Sequence, residues 1–222
     1  MIKDLKNFGI GLFVLLLYLI SSYLFSFILS LFIDINNLSL INKVLINLSF
    51  EFTLLFIIIF IYRKTLINDL KKFKDCHFFS YIRYWFIAIG LMLISNIIIN
   101  LITSIDTSSN QKSIIETLSK APLYTIIVTV IGAPIIEELV FRLSFRKMFK
   151  TDILFIILSG LFFGFMHVSS PSSLLELLFI IPYSIPGCIF AYVLTKSNNI
   201  FVPIGLHLIH NLSMILLQFI LI

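Results

Sequence analysis

Long apolar runs separated by short polar links dominate this chain, and most approach the roughly 20 residues that a helix needs to cross a bilayer. Seven such runs cover residues 8–33, 43–62, 84–105, 121–145, 153–169, 174–194 and 200–221. They predict an all-α fold, a polytopic transmembrane helical bundle of about seven spans, with six and eight as alternatives. No soluble domain interrupts the pattern, so residues 1–222 are expected to form one integral membrane domain.

Composition supports this prediction. The chain is 59% hydrophobic and 12% charged, whereas a soluble domain is about half apolar and a quarter charged. Its net charge of +5 gives no indication of nucleic-acid binding, because the positive residues flank the apolar runs. The abundance of Ile, Asn, Lys and Phe fits an AT-rich genome, and we expect a bacterial cell membrane.

The distribution of basic residues predicts the orientation. With the N-terminus in the cytoplasm, the outer links carry three basic residues, Lys43, Lys112 and Lys120. Arg142 lies within a span, and the other twelve fall on inner segments: Lys3, Lys6, Arg63, Lys64, Lys71, Lys72, Lys74, Arg83, Arg146, Lys147, Lys150 and Lys196. Cytoplasmic loops are enriched in Lys and Arg, so we expect a cytoplasmic N-terminus.

Ionisable residues inside these spans are the strongest functional signal. Glu137, Glu138 and Arg142 follow an uncharged run that starts at residue 121. His167 lies in the next span, and the last span carries His207, His210 and Asn211. Such residues are costly in hydrocarbon and by default indicate a functional site. From the helical rise, all three spans bring them to a similar depth, which predicts one shared cavity, more accessible from the cytoplasm.

Spacing within the helices assigns provisional roles. Glu138 and Arg142 are four residues apart and share a helix face, so we expect a structural ion pair in which the guanidinium grips the carboxylate with two hydrogen bonds. Glu137, rotated about 100° from Glu138, is left as the reactive carboxylate, a general base.

The other polar residues complete a hydrolytic set. His167 can orient or help deprotonate a water held by Glu137. His207 and Asn211, again four apart, can donate hydrogen bonds to a developing oxyanion. His210 is expected to be a packing or supporting residue. Together the side chains describe amide hydrolysis by a carboxylate-activated water.

Two other carboxylates have simpler interpretations. Ser173 and Glu176 match a capping box, so Glu176 is expected to start the sixth span. Glu51, alone in the second span, is expected to be a paired or interfacial carboxylate.

Three motifs in this order resemble a known family. They are Glu137-Glu138-x-x-x-Arg142, Phe163-x-x-x-His167 and His207-x-x-x-Asn211. The chain resembles the CPBP family of intramembrane proteases, also called the CAAX-protease and bacteriocin-processing family or Abi family, which includes the Rce1-type prenyl endopeptidases. Pro134, the segment 197–200 and Pro203 also resemble its pattern. Leu143 departs from it, since members often have Gly there.

The resemblance implies a catalytic core over residues 121–215, formed by the last four spans. It implies an intramembrane endopeptidase in which Glu137 and His167 activate water, His207 and Asn211 stabilise the oxyanion, and Glu138 and Arg142 support the site. The substrate would be a hydrophobic peptide or a lipidated or membrane-anchored protein, met within membrane lipid. Bacteriocin immunity and peptide-pheromone maturation are roles associated with such proteins in bacteria.

Alternatives remain at this stage. Members of the family have been proposed to be metalloproteases, so zinc held by Glu137, His167 and His207 is one alternative. No His-Glu-x-x-His element is present, and we expect no cofactor. A non-catalytic membrane immunity or scaffold protein, and a small transporter with a proton relay, are the other interpretations. The sequence leaves the oligomeric state open.

Overall fold

A computed structural model describes residues 2–221, and this part of the chain is helical with no β-strand. Short turns, several of them 3₁₀-helical, join the helices. The eight helices are α1 (Ile2–Ser30), α2 (Leu40–Lys72), α3 (Ile82–Thr103), α4 (Ser109–Lys120), α5 (residues 122–148), α6 (Asp152–Met166), α7 (Ile180–Ser197) and α8 (Phe201–Leu221). The predicted all-α fold is confirmed.

Five helical segments within the described residues are long and apolar enough to cross a membrane: Asp4–Ser30, Leu40–Cys76, Phe78–Thr103, Leu174–Ser197 and Phe201–Ile220. The predicted polytopic bundle is therefore confirmed. The other two predicted spans correspond to α5 and α6. With 15 residues, α6 is about 22 Å long and shorter than the roughly 30 Å hydrocarbon core.

Helix α5 alternates between α and π geometry. Its successive segments are α over Pro122–Thr125, π over Ile126–Gly132, α over Ala133–Glu137, π over Glu138–Ser144 and α over Phe145–Met148. π turns are rare and occur frequently at functional sites. The glutamate pair lies at the boundary between an α and a π segment.

The same helix forms the centre of the bundle. Residues 138–145 are all buried, whether apolar or polar. Their apolar side chains pack against Val14 of α1, Ile58 of α2 and Phe155 of α6. By contrast, α1, α2 and α3 expose many large apolar side chains, as expected for faces in contact with lipid. A helix buried on all sides is a core helix, and here that helix carries the glutamates.

Glycines allow α6 and α7 to approach closely. A Cβ on Gly160 would lie 2.7 Å from the Cys188 backbone nitrogen, and one on Gly164 would lie 2.6 Å from the Ile180 carbonyl oxygen. Small residues at such crossings are typical of membrane helices, where packing rather than the hydrophobic effect drives association. This contact fixes α6, which ends next to His167.

The turn before α8 is held by the end of α2. The Asp69 carboxylate accepts a hydrogen bond from the Ile200 backbone N–H at 3.1 Å, and the Asn199 amide donates to the Asp69 carbonyl at 2.6 Å. Asn198 has positive φ (47°), which asparagine tolerates better than most residues. These bonds set where α8 begins and hence the depth of His207.

We expect Gly160→Ala to destabilise the protein by about 1–3 kcal/mol, the usual cost of overpacking, because the new methyl group meets the backbone of α7. Unfolding in detergent, followed by circular dichroism, measures this change. The matched control is Gly90→Ala in α3, where an added Cβ meets nothing within 4 Å. Equal stability of the two variants would contradict the tight crossing.

Candidate active site

A fully buried ion pair lies at the centre of the candidate site. Arg142 Nε is 3.1 Å from Glu138 Oε2, and both side chains are inaccessible to solvent. The predicted two-fold grip is absent: the Nε contact lacks hydrogen-bond geometry, and Nη1 donates instead to Ser159 Oγ at 2.9 Å. Ser159 in turn donates to the Phe141 carbonyl. The guanidinium therefore joins α5 to α6 as well as balancing Glu138.

His207 lies between the two glutamates. Its Nδ1 is 3.0 Å from Glu138 Oε1, and its Nε2 is 3.7 Å from Glu137 Oε2. A carboxylate can only accept, so Nδ1 carries the proton when Glu138 is ionised. Oε1 of Glu138 therefore points to His207 of α8 and Oε2 points to Arg142. This division explains why the guanidinium does not contact both carboxylate oxygens. The rings of Phe163 and Phe190 enclose the imidazole.

Glu137 differs from Glu138 in its surroundings. Its side chain is 13% exposed and lines a large cavity. No arginine or lysine forms an ion pair with it in the described chain, and Nε2 of His207 lies 3.7 Å from its Oε2. Glu137 is the carboxylate of the pair that faces open space.

His167 is the C-cap residue of α6. Its Nδ1 is 2.8 Å from the Phe163 carbonyl oxygen, and since a carbonyl only accepts, Nδ1 carries the proton. Nε2 of the neutral ring is then an acceptor. The ring stacks on Tyr183 of α7 with centroids 4.8 Å apart and planes at 27°. His167 lines the same cavity as Glu137.

One N–H of the Asn211 amide makes a structural hydrogen bond. Its amide nitrogen donates to the Thr129 carbonyl of the first π segment of α5 at 2.8 Å. An amide carries two N–H bonds, so one donor remains for a ligand. Asn211 and His207 line the cavity together, one helical turn apart on α8.

His210 lines this cavity as well. It is 9% exposed, and its Nδ1 has no hydrogen-bond partner within the described structure. A buried, unpaired imidazole nitrogen costs free energy unless water or a ligand meets it. The sequence motif does not include this residue, and we expected a packing or supporting role there.

The cavity has a volume of about 470 Å³, within the range of about 300–1,000 Å³ found for ligand pockets. Much of its wall is apolar, with Met92 and Leu93 from α3 and Ile114 from α4. All four predicted catalytic residues, Glu137, His167, His207 and Asn211, line it. The shared cavity inferred from depth is therefore present in the structure.

The cavity extends toward one end of the bundle. Its walls include the loop 106–108, the start of α4 and the late α8 residue Gln218. The distribution of basic residues predicts that this end faces outward, and residues 138–145, toward the other end of α5, are buried. Greater accessibility from the cytoplasm stays a prediction.

A hydrogen-bonded seam that the sequence did not indicate holds α4 against the cavity. The carboxylate of Glu176 accepts hydrogen bonds from the backbone and hydroxyl groups of Ser109 and Ser172. Ser108 Oγ is 2.7 Å from the Tyr183 hydroxyl. The predicted capping box is wrong, because Ser173 makes no capping bond and Glu176 bonds across to α4. The contacts of Glu176 with Ser109 and of Tyr183 with Ser108 join residues 67 and 75 positions apart, which local spacing cannot reveal.

The described histidines and carboxylates are not arranged as a zinc site. Among the described residues, no group of three or more His, Cys, Asp or Glu side chains is arranged to hold a metal ion. His167 and His207 each direct Nδ1 to a protein oxygen, in one case a backbone carbonyl and in the other a carboxylate.

Comparison with known proteins finds a matching family and a curated relative. Residues 119–213 match the family described as "Type II CAAX prenyl endopeptidase Rce1-like". A protein of Bacillus subtilis (strain 168) named "Putative membrane peptidase YdiL" is 31% identical over 114 residues. That match covers 50% of this chain and 43% of the relative, so the chain spans less than half the length of the protein it resembles. No solved structure gives a significant match.

The matched region begins just before α5 and ends within α8, and it contains the ion pair and every residue of the three motifs. The family resemblance indicated by those motifs is thereby confirmed, in that residues 119–213 match the Rce1-like family.

Proposed function

We propose that this protein is an intramembrane endopeptidase that hydrolyses a peptide bond in a hydrophobic peptide or membrane-anchored protein. One observation carries the proposal: of two adjacent glutamates, Glu138 is neutralised by Arg142 while Glu137 faces a largely apolar cavity with three histidines and an amide. The similarity to a membrane peptidase over residues of this site supports it.

In this proposal Glu137 is the general base. It takes a proton from a water molecule, whose oxygen attacks the scissile carbonyl carbon. His167, with Nε2 free to accept, holds that water in place. When the tetrahedral intermediate collapses, the C–N bond breaks and the proton on Glu137 passes to the leaving amine. The products are a carboxylate and an amine, and no metal ion is required.

Two side chains of α8, Asn211 and His207, would stabilise the oxyanion of the tetrahedral intermediate. The second N–H of Asn211 is a donor that its bond to Thr129 leaves available. A His207 imidazolium, with Nδ1–H on Glu138, would present Nε2–H as a second donor. Donors fixed before the reaction stabilise developing charge with little reorganisation, and the Glu138–Arg142 pair supplies that fixation by holding the imidazole.

The residues that line the active-site cavity indicate the class of substrate. The apolar lining from α3, α4 and α7 suits an extended hydrophobic segment. The lipid-facing helices give such a segment a route from the bilayer. Prenylated, otherwise lipidated and unmodified substrates all share this chemistry.

We expect Glu137→Gln to lower cleavage by about 10²–10⁴-fold, the usual contribution of a general base, because the amide cannot accept the proton from water. Protein abundance in the membrane should be unchanged. A proteomic comparison of membrane-associated peptides in cells carrying each form would show a precursor that accumulates in the variant. Once a precursor is found, purified protein in liposomes gives the rate on it.

The matched control for this experiment is Glu116→Gln. Glu116 is an exposed glutamate of α4 that pairs only with Lys120, so this variant should process normally. Identical peptide profiles for wild type and Glu137→Gln, with both proteins present at equal levels, would contradict the proposed protease and favour a non-catalytic role.

We expect Glu138→Gln to destabilise the protein by about 3–5 kcal/mol, because it leaves the Arg142 charge buried without its partner. Glu138→Leu combined with Arg142→Met removes both charges and should recover much of that loss, measured as free energy of unfolding in detergent. Cleavage should stay low in the double variant, since His207 has lost its partner. A fully active double variant would contradict the supporting role.

A further inference from the structure

A second cavity lies at the end of the bundle opposite to α4 and the loop 106–108. It has a volume of about 260 Å³ and is formed by the last turns of α2, the end of α5 and the end of α7. We call it the basic cavity, and its lining residues are Thr65, Asn68, Asp69, Lys72, Leu143, Arg146, Lys147, Leu194, Thr195 and Asn198.

Three cations line the basic cavity, and two of them have no anionic partner. Arg146 is paired with Asp152 at 2.7 Å. Lys72 and Lys147, within the part of the chain that the structure describes, have no carboxylate oxygen within 4.0 Å. Lys147 is half-buried with its ammonium 5.7 Å from the centre of the Tyr62 ring. Lys72 and Lys147 can therefore each form an ion pair with an anionic ligand.

Its single carboxylate, Asp69, is already engaged. Asp69 is 8% exposed, and its oxygens accept from the Ile200 backbone and, at 3.4 Å, from the Asn68 amide. It therefore holds the start of α8 in place, and it forms no ion pair with Lys72 or Lys147. Neutral donors beside it, Thr65 and Asn198, add hydrogen-bonding capacity to the wall.

The surroundings favour a lipid over a soluble anion. The cavity lies at one end of a bundle whose helices α1, α2 and α3 expose many large apolar side chains, so lipid surrounds the helices that form it. This end of the bundle carries most of the basic links, and basic pockets between helices on that face of a membrane protein are suited to anionic headgroups.

We propose that the basic cavity binds the phosphodiester headgroup of an anionic phospholipid, with Lys72 and Lys147 as its charge partners and the acyl chains in the surrounding bilayer. This site is separate from the peptidase site and does not depend on it. Because Asp69 also holds the start of α8, an occupied headgroup site would stabilise the helix that carries His207.

The test uses the full chain, purified in a zwitterionic detergent, with phosphatidylglycerol or phosphatidylcholine added. Native mass spectrometry counts retained lipid, and thermal unfolding reports its effect. We expect phosphatidylglycerol, but not phosphatidylcholine, to be retained and to raise Tm. Lys72→Gln with Lys147→Gln should weaken apparent phosphatidylglycerol affinity by about 25-fold, since each cation contributes roughly a factor of five.

The matched control is Lys64→Gln with Lys74→Gln, which removes the same charge from exposed neighbours outside the cavity and should bind as wild type does. Equal losses in both double variants would overturn the proposal, because diffuse surface charge would explain them. Inorganic phosphate that matches phosphatidylglycerol would overturn the lipid assignment. If the double variant does not fold, Lys72→Gln alone, at an exposed position, should bind about fivefold more weakly, and unchanged binding would overturn the site.

Discussion

The buried Glu138–Arg142 pair is the interaction on which the arrangement of the other site residues depends. Two charges removed from water are costly, and hydrogen bonds from other groups offset part of that cost. Here His207 meets Glu138 and Ser159 meets Arg142, so three helices are tied to one point. The rings of Phe163 and Phe190 keep lipid and water away from it.

This arrangement separates two adjacent glutamates into different environments. Glu138 lies in the core with its charge balanced, while Glu137 at the preceding position faces the cavity. The boundary between α and π geometry falls between them. Neighbouring carboxylates in different surroundings can take different chemical roles, and we base the proposed hydrolysis on that difference.

The two ends of the bundle are chemically unlike. At one end α4 is bonded across the active-site cavity through Glu176 and Tyr183. At the other end a smaller cavity is lined by two lysines that form no ion pair among the described residues. The buried centre of α5 separates them, so a ligand at the basic end could affect the site only through the packing of α2, α5 and α8.

A helical membrane protein was predictable from this sequence because hydrophobicity and length are local properties. The i,i+4 relation of Glu138 with Arg142 was predictable for the same reason, since helix geometry fixes it. The motifs on three spans also sufficed to indicate the resemblance to the family that residues 119–213 match.

Only the tertiary structure decided which atoms meet between helices. The bond from His207 to Glu138, the bond from Asn211 to Thr129, and the contact of Tyr183 with Ser108 each join residues at least 69 positions apart. Such contacts depend on the rotation and depth of each helix, which close packing at Gly160 and Gly164 and the capping of α8 by Asp69 determine. Periodicity gives the depth of a residue along its helix, but packing decides which neighbours cover it.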